Sequence, residues 1–160
     1  MKRTLAILLL AAALGLNALA AQAADARPFV RGSFKEIAAA RQGQPYILAF
    51  WSLTCTHCRE ELGLLGNLLA RHPGLRVVLV STDTPEEAPV IAATLADYRL
   101  ESAESWVFAD GFAERLRADV DKKWRGELPR TYLCDRAHAC TATSGKLNPR
   151  RIDEWMRANE

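Results

Sequence analysis

"FWSLTCTHCREEL" (residues 50–62) joins two different kinds of sequence. Leading into it, "PYILAFW" (45–51) is apolar with no polar alternation. Such a run suits a strand covered on both faces, as in a parallel sheet. Beyond it, Leu62, Leu65, Leu68 and Leu69 recur at helical spacing until "HPG" (72–74) stops the pattern. Cys55 is therefore expected to end a buried strand and open a helix. There, free backbone N–H groups and the positive end of the helix dipole face its sulfur. Both favour thiolate over thiol, which makes Cys55 the expected nucleophile. Cys58 lies one helical turn further on and can resolve a mixed disulfide formed by Cys55.

Other uses of the pair are weaker matches. The four cysteines, Cys55, Cys58, Cys134 and Cys140, space as C-x2-C and C-x5-C, and the second interval is irregular for zinc. Haem attachment needs histidine after the second cysteine, where Arg59 stands. A purely structural bridge within one helical turn constrains almost no loop. A copper- or zinc-handling protein using Cys55, His57 and Cys58 is chemically open, because soft thiolates and imidazole bind both metals, although no further matched ligand is evident.

The chain begins with Lys2 and Arg3, an apolar run from Leu5 to Ala21, and the small-x-small triplet Ala21-Gln22-Ala23. This is the pattern of a cleaved secretory signal peptide spanning residues 1–23. An uncleaved anchor is the rival reading, and the run is near the lower length for a spanning helix. Cleavage leaves a single domain, residues 24–160. Losing Lys2 and Arg3 from 21 basic residues leaves 19, against 19 acidic, a neutral balance. Nothing in it suggests nucleic acid or an anionic membrane as a partner. All four cysteines lie in the exported part, where disulfides form and persist.

Further along, Asp25 to Arg31 reads as a lead-in. Ser33 is expected to cap a helix through "FKEIAAARQ" that ends at Gly43. Leu75 to Val80 is a second buried strand, and Pro85 or Pro89 starts the helix after it. "SWVFAD" (105–110) is a short strand. Phe112, Leu116 and Val120 stripe a following helix. "PRTYLCD" and "ACTATS" flank "RAH" as a hairpin, and Asn148 caps a last helix with Ile152, Trp155 and Met156 facing inward. The order implies an α/β three-layer sandwich, with a mixed sheet between helices and a C-terminal hairpin and helix.

"FWSLTCTHCREEL" followed by "GELPRTYLCD" (126–135) resembles the thioredoxin superfamily, most closely its TlpA/ResA-like exported thiol-disulfide oxidoreductases. The similarity runs from about residue 28 to 158. It implies that Pro129 is cis, packs beside the reactive disulfide and shapes the substrate groove, with the Leu128 backbone pairing to a substrate peptide in β-fashion. The edge-strand or turn proline is the plain alternative. The resemblance also matches Glu61 to an acid that biases protons near the second cysteine. A solvated helix carboxylate beside Glu60 is its alternative. Three positions depart from the pattern. Thr54 replaces a common tryptophan and is expected to cap the helix. Ala49 stands where thioredoxin has a buried aspartate, and Gly63 replaces a proline that commonly kinks this helix. Between the cysteines stand Thr56 and His57. Imidazole at His57 can stabilise the Cys55 thiolate and make the protein more oxidising, unless it is merely exposed.

Cys134 and Cys140 are expected opposite one another on the hairpin, within reach of a structural disulfide. A second redox pair relaying electrons to Cys55, and two buried thiols, remain open. The function expected is periplasmic disulfide exchange without a cofactor, reducing substrate proteins, as in cytochrome c maturation by subfamily resemblance. Oxidation or isomerisation through the same site is the alternative. Partners would be protein thiols and disulfides and a membrane thiol reductant or oxidant. The protein is expected to be a monomer.

Overall fold

A computed structural model describes residues 26–159. The leader expected at residues 1–23 lies outside them. Among the described residues, six strands form one sheet in the order β1-β4-β3-β2-β5-β6. They are β1 Arg27–Phe29, β2 Tyr46–Trp51, β3 Val77–Ser81, β4 Glu104–Phe108, β5 Arg130–Cys134 and β6 Cys140–Ser144. The first four run parallel, while β5 is antiparallel to β2 and β6 antiparallel to β5. The helices are α1 Ser33–Ala39, α2 Thr56–Arg71, α3 Ala88–Asp97, α4 Ala113–Val120 and α5 Pro149–Asn159.

Every residue of β2 is buried, because helices cover both faces of the sheet. Ile47, Ala49 and Trp51 pack with Leu62, Leu65 and Leu68 of α2, Ile91 and Leu95 of α3, and Ile152 of α5. Tyr46, Leu48 and Phe50 turn to the other face, with Ile37 of α1 and Leu116 of α4. Alternation of side chains along a strand thus feeds two cores, and no polar position survives between them. On the second face Phe50 meets Phe29 edge-on, ring centroids 5.6 Å apart, and tilts against Trp124 at 4.7 Å.

The sandwich and hairpin match the expected architecture, and several local details differ. The lead-in contains β1, a short edge strand parallel to β4. Three residues carry too little periodicity to announce a strand. Ser33 is the first helical residue, not the cap of α1. Gly32 holds the cap position at φ 90°, and the Ser33 hydroxyl turns back to accept from Val30 N at 3.0 Å. The helix ends at Ala39, short of Gly43. Both prolines of "TPEEAP" are used: Pro85 opens a single 3-10 turn, and Pro89 sits in the first turn of α3. Phe112 precedes α4 and is 55% exposed, so the inward stripe begins at Leu116. Arg115 stacks over the Phe112 ring at 4.1 Å instead. Asn148 does cap α5, its Oδ1 accepting from Arg150 N at 3.0 Å.

Candidate active site

β2 ends at Trp51, and after four residues, 52–55, the chain enters α2 at Thr56. Cys55 itself is the N-cap, in extended backbone at φ −89° and ψ 105°. Its Sγ accepts from Cys58 N at 3.1 Å, so the sulfur occupies the place of a capping oxygen. Thr54 is therefore not the cap, and its hydroxyl lies 3.1 Å from Ser52 Oγ instead. Cys55 and Cys58 are joined as a disulfide with Cα atoms 5.2 Å apart. The two ends differ in access: Cys58 is fully buried, whereas Cys55 is partly exposed. A partner sulfur can reach Cys55 and not Cys58.

Glu61 lies one turn beyond Cys58 and is 4% exposed, not solvated. Its carboxylate accepts from Leu147 N at 3.1 Å and from the Thr131 hydroxyl. Burial pushes the Glu61 carboxyl above the ordinary carboxylate range, and the Thr131 and Leu147 hydrogen bonds pull partly back. Thr131 is paired in register with Ala49, and Ala49 and Cys58 share one core face. A carboxylate thus reaches this face from the helix, where the strand position carries only a methyl group.

His57 points to solvent. Its side chain is 67% exposed and Nδ1 lies 3.7 Å from Glu60 Oε1. The other Glu60 oxygen contacts Lys146 Nζ, and this ammonium, foremost, holds the Glu60 carboxyl below its ordinary range. The Leu128–Pro129 peptide bond is cis. Arg130 pairs with Phe50, which places Pro129 at the end of β2 from which Cys55 departs. Its carbonyl accepts from Gly145 N at 2.8 Å.

Cys134 and Cys140 are also bonded, at the other end of the sheet. Cys134 pairs with Tyr46, the first residue of β2, and faces the opposite core from Cys58. Five residue steps along β2 separate the two ends, about 17 Å at the usual strand rise. The Cα atoms of this pair are 4.0 Å apart, with Cys134 fully buried and Cys140 exposed. The intervening turn is anchored by His138 Nε2, 2.9 Å from Arg41 O. The four cysteines thus form two separate pairs, and among the described residues no group of three or more His, Cys, Asp or Glu could hold a metal ion.

Sequence reasoning passed over Asp83, Thr131 and Lys146. Asp83 ties down the loop before Cys55, accepting from Leu53 N at 2.8 Å and Ser52 Oγ at 2.9 Å. Its only sequence signal was an acidic residue at the end of a buried strand, which reads as an ordinary turn.

No family model and no curated relative matches the sequence. Solved structures do resemble it. One is a secreted Mycobacterium tuberculosis disulfide oxidoreductase homologous to Escherichia coli DsbE, with TM-score 0.60 and 20% identity, covering 75% of this chain and 85% of its own. Another is a thiol:disulfide interchange protein DsbE from Chlorobium tepidum, with TM-score 0.54 and 22% identity over 76% and 84%. StoA from Bacillus subtilis aligns with TM-score 0.51 and 20% identity over 72% and 84%. Likeness at this level establishes the fold: the chain is a thioredoxin-like α/β sandwich.

Proposed function

We propose that this chain is an exported, periplasmic thiol-disulfide oxidoreductase. The observation that carries the reading is the asymmetric pair, with Cys55 accessible as the N-cap of α2, a backbone N–H aimed at its sulfur, and Cys58 buried behind it. In the reductive direction the Cys55 thiolate attacks one sulfur of a substrate disulfide. The substrate S–S bond breaks and one substrate thiolate leaves. Cys58 then loses its proton and attacks Cys55 Sγ, releasing the second substrate thiolate and forming the Cys55–Cys58 disulfide. Glu61, one turn along the same helix and held at a raised proton affinity by burial, is the acceptor for that proton. The dithiol carries both electrons, so no cofactor enters the cycle.

Substrate disulfides would dock across Leu128 and Pro129, and a membrane thiol reductant would restore the dithiol, with the protein acting as a monomer. By resemblance the substrates include proteins of cytochrome c maturation. Disulfide oxidation or isomerisation uses the same residues in reverse, and the reduction potential separates the two. A value near that of thioredoxin, about −270 mV, supports the reductive direction, and one nearer the roughly −120 mV of DsbA supports oxidation. Metal analysis of the reduced protein tests the copper or zinc alternative.

The direct test is trapping. Cys58→Ala is expected to accumulate a mixed disulfide between Cys55 and its partner, visible on non-reducing gels and released by dithiothreitol. Trapping by Cys55→Ala, and none by Cys58→Ala, would reverse the assigned roles.

A further inference from the structure

We propose that Asp83 is a positioning residue for Cys55, its carboxylate holding the Ser52–Thr54 loop so that Cys55 stays the N-cap of α2. The inference rests on the exchange function proposed above.

The loop leaves the sheet just past Trp51, whose neighbour on β3 is Ser81. Beyond that pair the sheet ladder gives only Thr82 N to Trp51 O, at 2.9 Å. Asp83 replaces the missing ladder. One carboxylate oxygen accepts from Leu53 N at 2.8 Å and Ser81 Oγ at 2.5 Å. The other accepts from Ser52 Oγ at 2.9 Å. Ser52 passes the constraint on, because its Oγ accepts from Thr54 N at 3.2 Å and its carbonyl from Cys55 N at 3.1 Å. Asp83 is itself fixed, its N–H donating to Ser81 Oγ at 3.0 Å. Ser52 and Ser81 are buried, so these bonds do not compete freely with water. Residues 52 to 55 are thereby tied to one carboxylate, directly or through Ser52.

The brace and the charge of Asp83 act in opposite directions on Cys55. Holding the N-cap geometry favours the thiolate, because it keeps the Cys58 N–H on the sulfur. A nearby negative charge disfavours it. Two substitutions separate them. Asp83→Asn removes the charge and keeps the shape: the amide oxygen can accept from Leu53 N and Ser81 Oγ, and the amide NH2 can donate to Ser52 Oγ. Asp83→Ala removes both.

The experiment follows the alkylation rate of Cys55 against pH in the reduced full chain, together with its equilibrium against glutathione. Asp83→Ala is expected to raise the pH midpoint and to move the equilibrium about tenfold toward the disulfide, a fall of about 30 mV. Asp83→Asn is expected to show no such shift: its midpoint stays at or below the wild-type value and its equilibrium at or on the dithiol side of wild type, because the brace is kept and the opposing charge is gone. Equal shifts in Asn and Ala, or none in Ala, would overturn the inference. If Asp83→Ala does not fold, Ser52→Ala removes a single hydroxyl from the same brace. It should raise the midpoint less, and an unchanged midpoint would count against the brace. Loss of the exchange reading itself looks different: wild-type Cys55 would show no thiolate reactivity near neutral pH.

Discussion

Glu61 shows how one buried side chain ties stability to pH. Its folded-state proton affinity is raised, chiefly by burial. Below the ordinary carboxylate range it is neutral folded and unfolded, and burial of its charge costs nothing. As pH rises the unfolded chain ionises first, so stability falls until the folded group also loses its proton. Glu61→Gln removes that dependence, since the turned amide can serve both Leu147 N and the Thr131 hydroxyl. The mutant is expected to gain stability relative to wild type as pH rises from about 4 toward 8, read by denaturant unfolding of the oxidised protein at each pH. Parallel curves for the two proteins would mean that Glu61 is not held in the buried setting described.

At the scale of elements, α2 carries two glycines that sequence alone treats alike, each weakening the helix by about 1 kcal/mol relative to alanine. Their surroundings differ. A Cβ on Gly66 would collide with the Tyr98 backbone carbonyl oxygen at the end of α3, which has no rotamer to move away. A Cβ on Gly63 would meet only the Tyr98 ring, at 3.8 Å, an ordinary contact. Gly66→Ala is therefore expected to destabilise by about 1–3 kcal/mol despite its better helix propensity, as overpacking does. Gly63→Ala should be neutral or stabilising by up to about 1 kcal/mol. Chemical denaturation of the pair measures both, and similar effects from the two substitutions would contradict the close packing of α2 on α3. This close approach fixes the helix that presents Cys55 and Cys58.

At the scale of the molecule, the sheet keeps its two sulfur pairs apart. One stands where β2 ends and α2 begins, the other at the start of β2 on the hairpin. Exchange between disulfides requires direct sulfur contact, and about 17 Å of strand intervenes. Cys134–Cys140 is proposed as a structural clamp. Graded glutathione is expected to release two thiols at mild poise and four only under strong reductant. Four thiols appearing together would favour a relay instead. Replacing Cys134 and Cys140 by alanine should cost about 2 kcal/mol, the loop-entropy value for a bridge of sequence separation 6, without changing the potential of the Cys55 pair.

Local pattern carried much of this protein. The unbroken apolar run at 45–51, the leucine spacing after Cys58 and the C-x-x-C between them announced a covered strand, a helix and a dithiol at the junction, because strand burial and helix periodicity are written in neighbouring residues. The Asn148 cap and the hairpin around Cys134 and Cys140 were legible for the same reason. Three things were not. β1 is too short for any period to show. The resemblance singled out Glu61, but local pattern could not show its burial: Glu61 and Glu60 are adjacent carboxylates on one helix, yet Glu61 is buried against Thr131 and Leu147 while Glu60 meets Lys146 in solvent. Asp83 acts on Ser52 and Leu53 across 30 residues or more of chain. Each depends on which distant residues the fold brings together, and burial and hydrogen-bond partnership are set by that assembly and not by sequence neighbours.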